Sequence, residues 1–190
     1  KELSFSQELH QAIEEMGFVE ASHIQSETIP VLLEGKDVIG QAQTGTGKTA
    51  AFGIPLLEKI EDGDASLSSV VLCPTRELAI QVANELKKIS KYKNHIHILP
   101  VYGGESIQHQ IKDLKRHVQV VVGVPQAIAD HGVGDLLVSD AVAVAGLGQE
   151  VGRPGHVFHA AGHHDERGVA CDRVGRVHDG LQSGAADLVQ

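Results

Sequence analysis

Apolar residues recur at regular spacing through the first two thirds of the chain, and that spacing switches between helical and strand-like. Leu9, Ile13 and Met16 fall on one helical face after Ser4, whose partner Gln7 stands where a capping box requires it. The pattern therefore predicts an opening helix that begins after Ser4.

The same capping signature returns before a second helical run. Ser22 and Gln25 are three residues apart, and apolar residues follow them at helical spacing. Pro30 lies inside this run. Because proline lacks a backbone N–H and clashes with the preceding turn, we expect it to kink or shorten the second helix.

Four short apolar runs then alternate with helical ones. Such an alternation requires crossover connections, which favour an α/β fold: a parallel sheet with helices on both faces. The predicted strands are Asp37–Ala42, Ser69–Pro74, His95–Tyr102 and Val118–Gly123, and the predicted helices between them are Thr49–Ile60, Arg76–Ile89 and Ile107–His117.

The composition changes abruptly near residue 124. All ten lysines lie in residues 1–123, whereas Gly, Ala, Val, Asp and His dominate residues 124–190. Codons for Gly, Ala, Val and Asp begin with G, so the two parts carry different base biases. This favours a fusion of two sources over a frameshift within one gene, with a divergent natural tail as the alternative.

We divide the chain into a truncated domain at 1–123, a junction at 124–131 and a Gly/Ala/Val/His-rich tail at 132–190. The tail has little apolar surface to offset the entropy cost of ordering, so we expect it to be irregular and to leave the sheet incomplete. The alternating run Ala141–Ala145 is the exception, because it could form one short strand on the sheet edge.

Charge and cysteine content narrow the possible functions. The net charge of −9 argues against a polybasic nucleic-acid coat or a membrane-surface binder, so any RNA contact must be local. Two distant cysteines, Cys73 and Cys171, suit a reducing cytoplasm.

The tail histidines between His156 and His164 have a spacing that could place them on one face of a helix as zinc ligands. Glycines interrupt any helix there, which argues against a zinc site. With no signal peptide and Lys1 first, we expect a fragment or trimmed product.

The strongest local signal is Gln41–Thr49, which reads QAQTGTGKT. It matches the phosphate-loop pattern GxxxxGK[ST] except for the first glycine, and it lies between a predicted strand and a predicted helix. Gly45 and Gly47 would let backbone N–H groups surround a phosphate. Lys48 would add positive charge, and the Thr49 hydroxyl could ligate Mg²⁺. The alternative is a Gly-rich turn with a solvated lysine.

Three further motifs stand around this loop. GFVEASHIQ (Gly17–Gln25) precedes it, PTRELAIQ (Pro74–Gln81) follows it, and Gly103 and Gly104 come later. In this order they resemble the Q motif, motif Ia and the double glycine of DEAD-box ATP-dependent RNA helicases, over about residues 3–131. The resemblance implies a RecA-like ATP-binding domain, ATP and Mg²⁺ as cofactors and RNA as partner. The oligomeric state stays open.

The resemblance also implies roles for individual residues. Gln25 would hydrogen-bond adenine, although a capping role is compatible, and Phe18 would contact the nucleotide unless it belongs to the core. Lys48 and Thr49 would serve catalysis, with Thr49 reaching Mg²⁺ through the nucleotide. The remaining nucleotide contacts would be Ala42, Gln43, Thr44, Gly45, Thr46 and Gly47. RNA phosphates would be held, without sequence readout, by Pro74, Thr75, Arg76, Gly103 and Gly104.

The resemblance stops after Gly123. The family continues TPGR, but this chain reads VPQA at 124–127, and the DEAD motif, the SAT motif and the second RecA-like domain are missing. Phosphoryl transfer needs an acidic Mg²⁺ ligand and charge neutralisation, so we expect weak nucleotide binding without turnover. Three interpretations remain: a DEAD-box helicase by descent, a non-catalytic ATP- or RNA-binding module, and a fusion artefact that folds poorly.

Overall fold

A computed structural model describes residues 5–63, 65–104, 106–133, 143–149 and 156–160. The helices are α1 (Gln7–Glu15), α2 (His23–Leu33), α3 (Lys48–Glu58), α4 (Arg76–Ile89), α5 (Ile107–Leu114) and α6 (Pro125–Asp130). The strands are β1 (Val38–Ala42), β2 (Ser69–Leu72), β3 (Ile98–Val101), β4 (Val120–Gly123), β5 (Ala143–Gln149) and β6 (His156–Ala160). From β1 to β4 the order matches the sequence prediction, and differences are confined to element ends.

The described strands form one sheet in the order β1-β6-β5-β2-β4-β3. Strand β2 pairs in parallel with β4 and β5, and β3 pairs in parallel with β4. Strand β6 is antiparallel to both β1 and β5, so β1 runs in the same direction as β2. The predicted parallel arrangement of β1 to β4 is confirmed, and β6 is the one reversed strand among those described.

Two strands lie where the sequence predicts an irregular tail. Strand β5 includes part of the alternating run and pairs Ser69 with Ala143, so the predicted short strand forms, but it lies inside the sheet between β2 and β6 and not on its edge. Strand β6 was not predicted; it joins β5 to β1 and includes His156 and His159, which therefore lie on a strand and not on a helix. Unpaired backbone groups on β1 and β2 can be satisfied by any chain, so small side chains do not prevent pairing.

Both faces of the sheet are covered by helices, as predicted. Val71 and Val120 pack into an apolar cluster with side chains of α1 to α4. Their sheet neighbours Val70 and Val121 belong to a second cluster, with side chains of α5 and α6. All four valines are fully buried. The period-2 alternation of side chains thus divides the core into two layers.

Helix α6 lies inside the predicted junction. Val124 precedes it as the N-cap, Pro125 occupies the first turn, and Ala127 and Ile128 are buried in the second cluster. Proline suits this position because the first-turn N–H groups have no acceptor within the helix. The junction is therefore helical over residues 125–130 and joins the core through two of its side chains, while the proposed division of the chain stays a prediction.

The helix starts refine the sequence analysis. Ser6, not Ser4, is the N-cap of α1; its N–H and hydroxyl donate to the carboxylate of Glu58 at 2.8 and 2.7 Å. Helix α2 begins after Ser22 as predicted, but it continues through Pro30 to Leu33, so the proline does not end it. Among the described residues, no helix has the length and apolarity to cross a membrane.

Candidate functional site: a phosphate loop and an arginine platform

Three of the predicted motifs follow strands that run in one direction. The phosphate loop follows β1, the segment Pro74–Arg76 follows β2, and Gly103 and Gly104 follow β3. The carboxyl ends of such strands meet at one edge of a sheet, where open α/β folds bind their ligands. The fold therefore brings the predicted nucleotide and RNA residues to the same edge.

The two glycines of the phosphate loop are required for different reasons. Both are in the left-handed region, Gly45 at φ 80° and Gly47 at φ 79°. A Cβ on Gly45 would meet no atom within 4 Å, so open space lies beside the loop there. A Cβ on Gly47 would lie 2.3 Å from Nε2 of Gln25. Gly45 thus leaves room for a ligand, and Gly47 makes room for helix α2.

Helix α2 holds the phosphate loop through two side chains. Gln25 is 4% exposed; its Oε1 accepts from the N–H of Ser22 at 2.9 Å, and its Nε2 donates to the carbonyl of Gly47 at 3.1 Å. The Ser22 hydroxyl donates to the carbonyl of Thr46 at 2.8 Å. The capping role of Gln25 is confirmed. The loop contact of Ser22 escaped sequence reasoning, because the capping signature explains that serine without a distant partner.

Lys48 is turned back onto its own loop. Its ammonium donates to the carbonyl of Ala42 at 2.8 Å and also to the carbonyl of Gln43. Burial lowers the pKa of Lys48, because the charged form loses hydration. The Thr46 hydroxyl makes a separate hydrogen bond within the loop, in which it donates to the Gln43 carbonyl at 2.8 Å. A phosphate would have to compete with these carbonyls for the ammonium.

The loop has the features that a nucleotide phosphate requires. Helix α3 begins at Lys48 directly after Gly47, and its first N–H groups have no acceptor inside the helix. Thr49 lies in the same first turn and carries a hydroxyl. No group of three potential metal-ligating side chains occurs in the described part of the chain. A hydroxyl is an oxygen donor of the kind that Mg²⁺ binds, so Thr49 would contribute one ligand to an ion that arrives with a nucleotide.

Two other side chains belong to the packing of the apolar core. Phe18 is half-buried and packs against the first apolar cluster, which is the core placement considered above; its contact with a nucleotide stays a prediction. Cys73 follows β2 and is 1% exposed. Burial raises the pKa of its thiol to about 12, so the thiol stays protonated and unreactive at neutral pH.

The predicted RNA residues converge on an exposed guanidinium. Thr75 is the N-cap of α4, and its hydroxyl accepts from the N–H of Leu78 at 3.3 Å. Arg76 opens the helix; its Cζ lies 4.3 Å from the centre of the Tyr102 ring, and its Nη1 donates to the carbonyl of Gly103 at 3.4 Å. Pro74, beside Thr75, is exposed. Motif Ia and the double glycine are therefore in direct contact.

The second glycine of the pair leaves room for the Arg76 guanidinium. Gly104 has a φ of 90°, and a Cβ on it would lie 3.1 Å from Nη1 of Arg76. We call Arg76, Tyr102, Gly103 and Gly104 the arginine platform. Sequence reasoning missed Tyr102 and also Gln110, which bonds its backbone. The available signal for Gln110 was a polar residue in the apolar stripe of α5, three residues after Ile107 and four before Leu114.

Comparison with known proteins identifies the family of this chain. Residues 22–143 match the DEAD/DEAH box helicase family. The chain is 57% identical over 131 residues to the DEAD-box ATP-dependent RNA helicase CshA of Bacillus cereus, which covers 69% of this chain and 25% of that relative. It is 52% identical over 130 residues to the ATP-dependent RNA helicase CshA of Listeria monocytogenes, a match that covers 68% of this chain and 25% of that relative. The chain spans about a quarter of the length of these relatives.

Solved structures give the same result. A DEAD box protein from Methanococcus jannaschii superimposes with a TM-score of 0.66 at 38% identity, over 75% of this chain and 40% of that one. A hypothetical ATP-dependent RNA helicase from Sulfolobus tokodaii gives a TM-score of 0.63 at 36% identity, over 74% and 41%. This chain belongs to the DEAD/DEAH box helicase family. The resemblance found from the motifs, and the RecA-like α/β fold that it implied, are confirmed.

Proposed function

We propose that this chain binds ATP with Mg²⁺ at the phosphate loop. The observation that carries the proposal is the open space at Gly45 beside the start of α3, with Lys48 in the same loop. Residues 42–49 would hold the phosphates, Thr49 would contribute its hydroxyl to Mg²⁺, and Gln25 would read adenine. Its bond to the Gly47 carbonyl places Gln25 beside the loop, and reading adenine would require its amide to exchange one of its present hydrogen bonds for the base. Mg²⁺ supplies charge neutralisation on the phosphates.

We further propose that the arginine platform, with Pro74 and Thr75, binds the sugar–phosphate backbone of RNA. Arg76 is exposed and is held by the Tyr102 ring and the Gly103 carbonyl, so a guanidinium is presented at the edge that carries the phosphate loop. Contacts to phosphate position a nucleic acid without reading its sequence. The relatives named ATP-dependent RNA helicases support RNA as the partner.

By descent, we propose, this chain belongs to a protein that unwinds RNA in the cytoplasm at the expense of ATP. The chain itself would contribute a half-site that binds ATP and the RNA backbone. The sequence lacks the SAT motif and also the DEAD motif, which by the resemblance would supply the acidic Mg²⁺ partner of the phosphate loop. This observation favours a second candidate function, a non-catalytic module for adenine nucleotide and RNA. Under either function nucleotide binding is weak, and RNA binding does not depend on sequence.

Calorimetry with ATP and GTP in the presence of Mg²⁺ tests the nucleotide half. We expect ATP to bind and GTP to bind at least tenfold more weakly, since one tenfold step corresponds to about 1.4 kcal/mol, a typical hydrogen-bond contribution. Equal affinities for ATP and GTP would show that Gln25 does not read the base. Fluorescence anisotropy with a short labelled single-stranded RNA tests the other half, and absence of binding at low salt would refute it.

A further inference from the structure

Gln110 is a buried amide with both of its polar atoms bonded to one neighbouring residue. It lies on α5 and is 6% exposed. Its Oε1 accepts from the backbone N–H of Tyr102 at 3.1 Å, and its Nε2 donates to the backbone carbonyl of Tyr102 at 3.0 Å. A primary amide, with one acceptor oxygen and an N–H donor, can bond the N–H and the C=O of a single residue in this way, and a buried amide is costly unless both groups are bonded. Gln110 therefore fixes the backbone of Tyr102.

Tyr102 in turn determines where the guanidinium of Arg76 lies. The ring is 4.3 Å from Cζ of Arg76, a distance at which a cation is attracted to the face of an aromatic ring. The carbonyl of Gly103, the next residue, accepts from Nη1 of the same arginine. A shift of the Tyr102 backbone would move both the ring and the carbonyl. The contacts form one chain from Gln110 through Tyr102 to Arg76.

We propose that Gln110 is a positioning residue for nucleic-acid binding, which holds the arginine platform in the geometry that receives a backbone phosphate. This inference rests on the RNA-binding half of the proposed function. Gln110 is buried and acts only through Tyr102 and Arg76. Its amide gives the loop after β3 one geometry before any ligand arrives, which lowers the ordering cost of binding.

The main test replaces Gln110 by methionine in the full chain. Gln110→Met keeps a similar volume but loses both hydrogen bonds, and we expect RNA affinity to fall about tenfold with ATP affinity unchanged. Gln108→Met on the same helix is the matched control, because Gln108 is exposed and its loss should leave RNA affinity unchanged. Tyr102→Leu serves as a second variant: it keeps the backbone bonds to Gln110, removes the ring, and should weaken RNA binding to a similar extent.

A double-mutant cycle separates positioning from general destabilisation. In an Arg76→Ala background, Gln110→Met should cause no further loss of RNA affinity, because both substitutions remove the same contact. A purely structural role for Gln110 would give additive losses, and additivity would overturn the inference. Tenfold weakening in the Gln108→Met control would overturn it as well.

A spectroscopic measurement tests the inference without RNA. The side-chain protons of Arg76 lie over the Tyr102 ring, so their NMR signals should be shifted by the ring current. We expect that shift to diminish in Gln110→Met and to persist in Gln108→Met; an unchanged shift in Gln110→Met would overturn the inference. If the unsubstituted chain binds no RNA, the proposed function fails and the inference fails with it. If that chain binds RNA but the cycle is additive, only the inference fails.

Discussion

The phosphate loop and the arginine platform are built on the same plan. Each is a turn with left-handed glycine after a strand that runs in the same direction, and each is held by a buried glutamine from a neighbouring helix. Gln25 donates to the carbonyl of Gly47 in the phosphate loop, and Gln110 bonds the backbone of Tyr102 in the platform. Buried amides thus support both turns, because a glutamine can bond a turn that has no regular backbone partner.

The two regions differ in the contacts that their positively charged side chains make. Lys48 donates to carbonyls of its own loop, so a ligand must replace those bonds. Arg76 is exposed and lies over the Tyr102 ring. The comparison teaches that the two cations are held differently: the ammonium of Lys48 by two carbonyls of its own loop, and the guanidinium of Arg76 by an aromatic ring and the carbonyl of Gly103. Four experiments test the phosphate-loop side of this comparison.

The largest effect should come from removing the lysine of the phosphate loop. Lys48→Ala should lower ATP affinity about a hundredfold, since hydrogen bonds to charged groups contribute about 1.5–3 kcal/mol. Calorimetry measures it, with Lys36→Ala as control because Lys36 lies in an exposed ion pair with Glu34. RNA affinity should be unchanged in both variants. Equal ATP binding by Lys48→Ala would show that the loop is not the nucleotide site.

Replacing each glycine of the phosphate loop by alanine should give the next largest effect, a loss of stability. Alanine at a left-handed position costs about 1–2 kcal/mol, so Gly45→Ala should lower the free energy of unfolding by about that amount. Gly47→Ala should lower it further, because its Cβ would also collide with Gln25. Chemical denaturation of both variants measures the difference. The contact between α2 and the loop would be unimportant if the two variants were equally stable.

Thr49 should affect only the metal-dependent part of binding. Thr49→Val keeps the shape of the side chain and loses the hydroxyl, so ATP affinity without Mg²⁺ should stay within about twofold of the original, a difference of roughly 0.4 kcal/mol. The gain in affinity on adding Mg²⁺ should be smaller in the variant. Titrations with and without Mg²⁺ measure this, and an identical gain in both proteins would exclude Thr49 as a ligand.

The last prediction is that the chain does not hydrolyse ATP, so the expected difference from a blank is zero. Because the DEAD motif is missing, ATP turnover should equal a protein-free blank, with or without RNA. A phosphate-release assay measures it, with Lys48→Ala as the comparison. RNA-stimulated turnover that disappears in Lys48→Ala would contradict this expectation, and it would assign the missing acid to a residue such as Asp165 or Glu166, which lie outside the described residues.

The elements that the sequence predicted best are those with a strong local signal. Helix α4 has the predicted bounds, because its amphipathic pattern and the N-cap Thr75 agree. Helix α1 begins after Ser6 instead of Ser4, since a distant carboxylate, Glu58, takes the N–H and hydroxyl of Ser6. Strand β6 escaped prediction because its pairing partners are β1 and β5, which its own residues do not encode.

The sequence by itself determined the family, the alternation of strands and helices, and the motifs that follow β1, β2 and β3. These depend on local spacing and on residue types, which a single chain displays directly. Only the tertiary structure decided which side chains support those motifs. That Ser22 bonds Thr46 and that Gln110 bonds Tyr102 follow from how helices pack on the sheet. The strand order, with β6 between β1 and β5, was decided in the same way, because pairing joins residues more than a hundred positions apart.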